Sequence, residues 1–176
     1  MRTEEKTALV EDTRRVAREH LTSVAAAGTP GQVNRPLVRA LAEHGLLALL
    51  FPESVGGAQP EAVSATVLCM LREALASECV EAETALALQG LGSYGILQSG
   101  RSEVVARWLP AVCRGEAVAA FALSEPEAGS DAGALTLRAD PDGGGYRLTG
   151  AKLWISNAPD ADVYTVFART TPDAGA

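Results

Sequence analysis

Near Glu116 the spacing of apolar residues changes from a helical period to a strand period. Apolar residues recurring about every 3.6 positions make one stripe on a helix, and strict alternation makes one face of a strand. A chain that switches once, two thirds of the way along, is built as helices first and sheet second. The predicted class is α+β, with an N-terminal α-helical bundle domain over 1–115 and an incomplete antiparallel β-barrel-like domain over 116–176.

Before the switch, Leu9, Val16, Leu21 and Val24, with Thr13, Ala17 and His20 between them, define a helix over 3–27 that "GTPG" ends. A shorter helix starts at Pro36 with Leu37, Ala40 and Leu41 on one side. It runs into the apolar "GLLALLF" and the turn "PESVGGAQP". Val63, Val67, Met70, Leu71, Ala74 and Leu75 predict a helix from Pro60 almost to Cys79. The next covers 81–99, with Leu86, Ala87, Leu91, Tyr94 and Leu97 as its expected inner side. Ser102 is the expected cap of another, packed through Val104, Val105, Trp108 and Leu109.

After the switch, "AVAAFAL", "ALTLRAD", "YRLTG", "KLWISN" and "DVYTVFAR" are strand candidates, and "DPDGGG" is a hairpin turn. The segment "TTPDAGA" after Arg169 reads as a loop-like tail. Strands with nothing after them to cover the sheet leave an open edge. The expectation is that another chain closes it or that the sequence belongs to a longer protein.

With 47% apolar and 21% charged residues the chain has the makings of a packed core. Its 15 basic and 22 acidic residues give a net charge of -7, with no basic run, which argues against a nucleic-acid binder. Cys69, Cys79 and Cys113 share no metal-ligand spacing and read as small buried hydrophobes in a reducing compartment. His20 and His44 are isolated on helices, and no metal site is predicted. The charged N-terminus is no signal peptide and "GLLALLF" is too short to span a bilayer, so the expected location is cytoplasmic.

Two segments carry more polar chemistry than loop closure needs. In "SEPEAGSD" the amides near Gly129 and Ser130 and the hydroxyls of Ser124 and Ser130 suit an anion such as a pyrophosphate, though a capped polar turn explains them equally. If "KLWISN" is a strand, Lys152, Trp154 and Ser156 share one face and Leu153 and Ile155 the other. The plain alternative packs Trp154 under a helix and leaves Ser156 in water.

Together, "FALSEPEAGSD" and "GYRLTGAKLWISN" closely resemble the acyl-CoA dehydrogenase family, whose pattern runs aromatic-x-hydrophobic-Thr-Glu-Pro-x-x-Gly-Ser-Asp and then Gly-x-Lys-x-Trp-Ile-Thr-Asn. "PESVGGAQP" resembles its Pro-Glu-x-x-Gly-Gly segment, and "RWLPAVCRGE" its Tyr-Leu-Pro-x-Leu-x-x-Gly-Glu stretch. The resemblance covers roughly residues 4–170 in order. It implies that Phe121, Ala122, Leu123, Ser124, Gly129 and Ser130 line FAD, with Ser124 near the isoalloxazine and Ser130 near the pyrophosphate. It further implies that Trp154, Ile155 and Ser156 meet the flavin ring and that Ser130 touches the acyl-CoA substrate. Ser124 and Ser156 stand where threonine is usual, Phe121 where tyrosine is common, and Glu127 where glycine is frequent.

The implied reaction is α,β-dehydrogenation of an acyl thioester in fatty acid metabolism. A glutamate removes the α proton, a hydride leaves for flavin N5, and hydrogen bonds to the thioester carbonyl favour the step electrostatically. The implied substrates are acyl-CoA or acyl-carrier-protein thioesters, and the implied acceptor is an electron-transfer flavoprotein. That glutamate lies in a C-terminal helical bundle with no counterpart here, so no catalytic residue is assigned, and Glu125 and Asp131 are expected to be caps. The chain is expected to be inactive alone and to work as an oligomer or with a second chain supplying the C-terminal half. Alternatives are a non-catalytic scaffold of the same fold and a flavin monooxygenase or oxidase.

Overall fold

The computed structural model describes residues 2–61 and 63–171. Helix α1 (Thr3–Val16) passes through one π turn (Ala17–Leu21) into α2 (Thr22–Ala26). The buried positions Thr13, Ala17 and Leu21 recur every four residues. In a strict α-helix that spacing drifts around the axis, and a wider turn, closed by Thr22 N–H donating to Ala17 O, returns Leu21 to the core. His20, on this turn, is not isolated: its ring stacks on His44 at 4.4 Å between centroids.

Helix α3 (Arg35–Glu43) is capped by Asn34, whose Oδ1 accepts the Leu37 N–H, and Pro36 sits in its first turn. A tightly turned apolar segment follows, burying Leu46, Leu47, Leu50 and Phe51. Helix α4 (Ala65–Ala76) starts later than the apolar spacing predicts, because the Ser64 hydroxyl accepts the Val67 N–H and fixes the boundary. Helix α6 (Ser102–Cys113) has Arg101 at its N-cap and Ser102 as its first residue, so the expected serine cap is not made. Cys79 and Cys113 are buried as expected and Cys69 is exposed.

Helix α5 (Val80–Ser99) is central and departs most from expectation. Its buried residues are Ala82, Leu86, Gln89, Gly92, Ser93 and Ile96, whereas Leu91 and Tyr94 are about half exposed. The hydrophobicity of this helix is spread around its circumference, so its largest apolar residues do not mark its core side. Small residues do. A Cβ on Gly92 would lie 2.9 Å from both Ala119 Cβ and Ala120 N, so only glycine lets α5 lie this close to the sheet. Gln89, fully buried, donates to Ala117 O and accepts from Ala119 N, each at 2.9 Å, imitating a neighbouring strand.

The β region holds β1 (Ala119–Ala122), β2 (Arg138–Asp142), β3 (Gly145–Thr149) and β4 (Val163–Val166). β2 and β3 form the expected antiparallel hairpin, with Asp142 opposite Gly145 and Gly143 and Gly144 at φ 56° and 88° in the turn. β1 and β4 pair differently from the antiparallel expectation: they run parallel, Ala119 opposite Val163 through Ala122 opposite Val166. The reason is connectivity, since the chain returns to the start of β1 before entering β4. Asp162 and Val163 both donate to Val118 O there, and the Asp162 carboxylate accepts the Val118 N–H. Arg35 of α3 holds that carboxylate at 2.8 and 3.1 Å, which keeps it below the usual aspartate range despite partial burial. The helical-then-β architecture therefore stands, with two two-stranded ladders among the described residues. Of the predicted tail, residues 172–176 lie outside the described residues. No described helix is long and apolar enough to cross a membrane.

Candidate functional site

"KLWISN" is not a strand. Trp154 and Asn157 take left-handed backbone angles, φ 59° and 68°, which break the alternation and fold the segment into an arch. Each end of the arch is fixed to β1 or its continuation. At the near end Lys152 Nζ donates to Leu123 O at 2.7 Å and Leu153 N–H donates to Ser124 O at 2.9 Å. At the far end the Asn157 amide donates to Ala119 O at 2.9 Å. Between these ties Trp154 is 90% exposed, so it is not packed under a helix.

Beneath the arch lies a buried ion pair. Glu125 Oε1 and Lys152 Nζ are 2.8 Å apart, with side chains only 2% and 8% exposed. The Glu125 carboxylate also accepts Thr136 N–H, Thr136 Oγ1–H and Leu137 N–H, at 2.6, 2.8 and 2.9 Å. Burial alone pushes this carboxyl up, but Lys152 and the Thr136 and Leu137 donors outweigh it and bring the pKa down to about 2. Glu125 also closes a tight turn, its N–H donating to Ala128 O at 2.8 Å.

The two predicted segments thus meet, through Ser124 and Leu153 directly. Leu123 and Ser124 are half-buried at the junction, Ile155 is half-buried within the arch and Ser156 is exposed on it. Phe121 stands edge-on to Phe167 with centroids 5.1 Å apart. Ala122 is buried, and its carbonyl accepts the Phe167 N–H. Gly129 and Ser130 lie exposed beyond the Glu125 turn, and a Cβ on Gly129 would meet nothing within 4 Å. No hydrogen bond among the described residues ties Ser130 to the arch. Asp131 precedes a short 3₁₀ turn without a side-chain cap bond, so its expected capping role is not seen.

Sequence reasoning gave no role to the ends of the arch, Lys152 and Asn157, and read Glu125 only as a cap. The available signal was a lysine between apolar neighbours in "GAKLW", a setting in which an ammonium needs a buried partner. It also missed a cavity of 520 Å³ between α4 and α5, lined by Leu50, Phe51, Leu68, Ala87, Leu88 and Leu91 among others. The Arg72–Glu83 ion pair is part of the wall, and the buried Ser93 hydroxyl in its lining has no hydrogen-bond partner among the described residues. No group of three or more His, Cys, Asp and Glu suited to a metal occurs among the described residues.

Two family models match nearly the whole chain: the acyl-CoA dehydrogenase N-terminal domain over residues 3–116 and the middle domain over residues 120–176. The chain belongs to the acyl-CoA dehydrogenase family. Among its relatives is the cyclohexane-1-carbonyl-CoA dehydrogenase of Geobacter metallireducens, 36% identical over 169 residues, which are 96% of this chain and 44% of that protein. Among solved structures it is similar to the butyryl-CoA dehydrogenase of Megasphaera elsdenii, with a TM-score of 0.82 and 26% identity, covering 99% of this chain and 46% of that one. It is also similar to PigA in its structure with FAD and proline, with a TM-score of 0.86 and 27% identity over 99% of this chain and 46% of PigA. As an acyl-CoA dehydrogenase homologue, the chain spans less than half the length of these relatives.

Proposed function

We propose that this chain forms the N-terminal and middle part of a cytoplasmic, FAD-dependent dehydrogenase that removes the α and β hydrogens of an acyl thioester. Residues 1–115 are its scaffold and 116–176 its flavin-contact region. The observation that carries the reading is the exposed indole of Trp154 beside the Ser124 junction, on a backbone that other residues hold in an unfavourable conformation. A water-facing tryptophan fixed in place suits a planar aromatic ring, and PigA, which shares the fold, was solved with FAD. The residues present fit a flavin.

In this reading Phe121, Ala122, Leu123, Ser124, Trp154, Ile155 and Ser156 hold the ring, the indole excluding water and the serine hydroxyls hydrogen-bonding its polar edge. Gly129 and Ser130 offer amides, a hydroxyl and open space to the pyrophosphate, and Ser130 also meets the thioester end of the substrate. FAD, when bound, supplies the hydride acceptor. The apolar cavity between α4 and α5 lies within the size range of small-molecule sites, ~300–1,000 Å³, and its lining suits an acyl group. Glu125 does not serve as the α-proton base: at a pKa of about 2, with its oxygens already accepting bonds, it has little affinity for a proton. The base comes from outside these residues, in a C-terminal half that also closes the sheet, and an electron-transfer flavoprotein takes the electrons.

The test mixes the purified chain with acyl-CoA, FAD and an artificial electron acceptor, with and without a C-terminal half from a relative. Turnover is expected only when both halves are present. Turnover by the lone chain contradicts the missing base, and a stable two-chain complex that never takes up flavin supports the scaffold alternative instead.

A further inference from the structure

Trp154 pays for its position with a left-handed backbone that a bulky residue rarely adopts, and something must hold it there. The ties are few and specific. Lys152 Nζ reaches Leu123 O at 2.7 Å and Glu125 Oε1 at 2.8 Å, and next to it Leu153 N–H reaches Ser124 O at 2.9 Å. Glu125 cannot swing with the lysine, because the Leu137 amide holds the same Oε1 and the Thr136 amide and hydroxyl hold Oε2. Asn157 closes the far end on Ala119 O.

We infer that Glu125 and Lys152 are positioning residues: their buried pair, with Asn157 at the other end, holds the Trp154 arch in its ligand-ready shape before any flavin arrives. The inference rests on the flavin reading only for what the arch receives. Glu125 is the fixed post and Lys152 the movable arm, whose three donors span the carboxylate and the Leu123 carbonyl at once. A loop preformed this way spares the ligand the ordering cost of the arch on binding. Arg169, which donates to Leu135 O at 2.6 Å and to Gly133 O, braces the 3₁₀ turn (Ala132–Ala134) and the Leu135 that lead into Thr136 and so backs the post.

Removing one partner leaves a buried charge and risks unfolding, so the decisive variant is the neutral double substitution Glu125→Gln with Lys152→Met, which keeps volume and strands no charge. Amide hydrogen exchange of Leu153, measured without ligand, reports the near-end tie, and FAD titration reports binding. The double variant is expected to keep the helical circular dichroism and cooperative melting of the parent chain. Its Leu153 exchange should quicken by about tenfold or more, and FAD affinity should fall by a similar factor, the scale of one lost charge-assisted hydrogen bond. Lys152→Arg, which keeps the charge and the donors, should restore most of both. Leu153 exchange within twofold of the parent overturns the inference. Faster exchange with unchanged FAD affinity overturns its ligand-ready part. If neither the parent chain nor its complex with a C-terminal half takes up FAD, the flavin reading fails and the arch stands or falls on the exchange result alone.

Discussion

At the scale of single residues, Trp154 works against stability. It buries almost nothing and holds φ at 59°, where a bulky residue costs on the order of 1–3 kcal/mol. Trp154→Gly is therefore expected to stabilise the chain by about 1 kcal/mol in a thermal or denaturant melt while weakening FAD binding. A destabilised Trp154→Gly variant would mean that the indole packs in solution. Glu125 carries the opposite signature. Its folded pKa of about 2 lies below the ordinary 4.5, so the pair's contribution is fully present above about pH 4.5 and is lost as pH falls toward 2. An acid titration followed by circular dichroism should show the parent chain losing stability steeply across that window. Glu125→Gln, less stable at neutral pH because Lys152 is left uncompensated, should lose much less over the same range.

At the scale of elements, the α5–β1 contact depends on absent side chains as much as on present ones. Gly92→Ala puts a methyl 2.9 Å from Ala119 Cβ and from the Ala120 backbone, and is expected to cost about 1–3 kcal/mol in a urea melt, against the gain in helix propensity that alanine brings elsewhere. A neutral result would mean that the helix moves away freely. This contact shows where legibility in the sequence ended. Helices marked by stripes, such as α3 with Pro36 in its first turn and Leu37 and Leu41 on its buried side, were readable, and so was the β2–β3 hairpin from "DPDGGG". The buried face of α5 was not, because glycine, serine and glutamine made the contact while Leu91 and Tyr94 stayed half exposed. The parallel β1–β4 pairing was unreadable for a related reason, since local alternation carries no information on strand direction. The site was half legible. Motif residues placed Ser124 and Trp154 in one neighbourhood, but two left-handed residues turned an apparent strand into an arch whose supports lie below it.

At the scale of the whole molecule, the helical part and the sheet are bound by a small number of directed contacts. Arg35 grips Asp162 and the Asp160 carbonyl, Gln89 pairs with β1, and the Thr165 hydroxyl donates to Gly92 O. Arg35→Ala is expected to lower stability by about 1 kcal/mol, as for other half-exposed ion pairs, and to loosen the β4 end of the sheet in hydrogen exchange ahead of the helices. The fold those contacts hold together belongs to a chain whose matched relatives are more than twice as long. In the proposed function, two β-region segments far apart in sequence converge to receive a flavin at Trp154. The most direct test of that claim is FAD titration of the chain with Trp108→Phe, which leaves Trp154 as the sole tryptophan reporter. Saturable quenching of Trp154 emission, in step with a structured flavin absorption band, is the expected result. Flavin binding that leaves Trp154 emission untouched would contradict the claim.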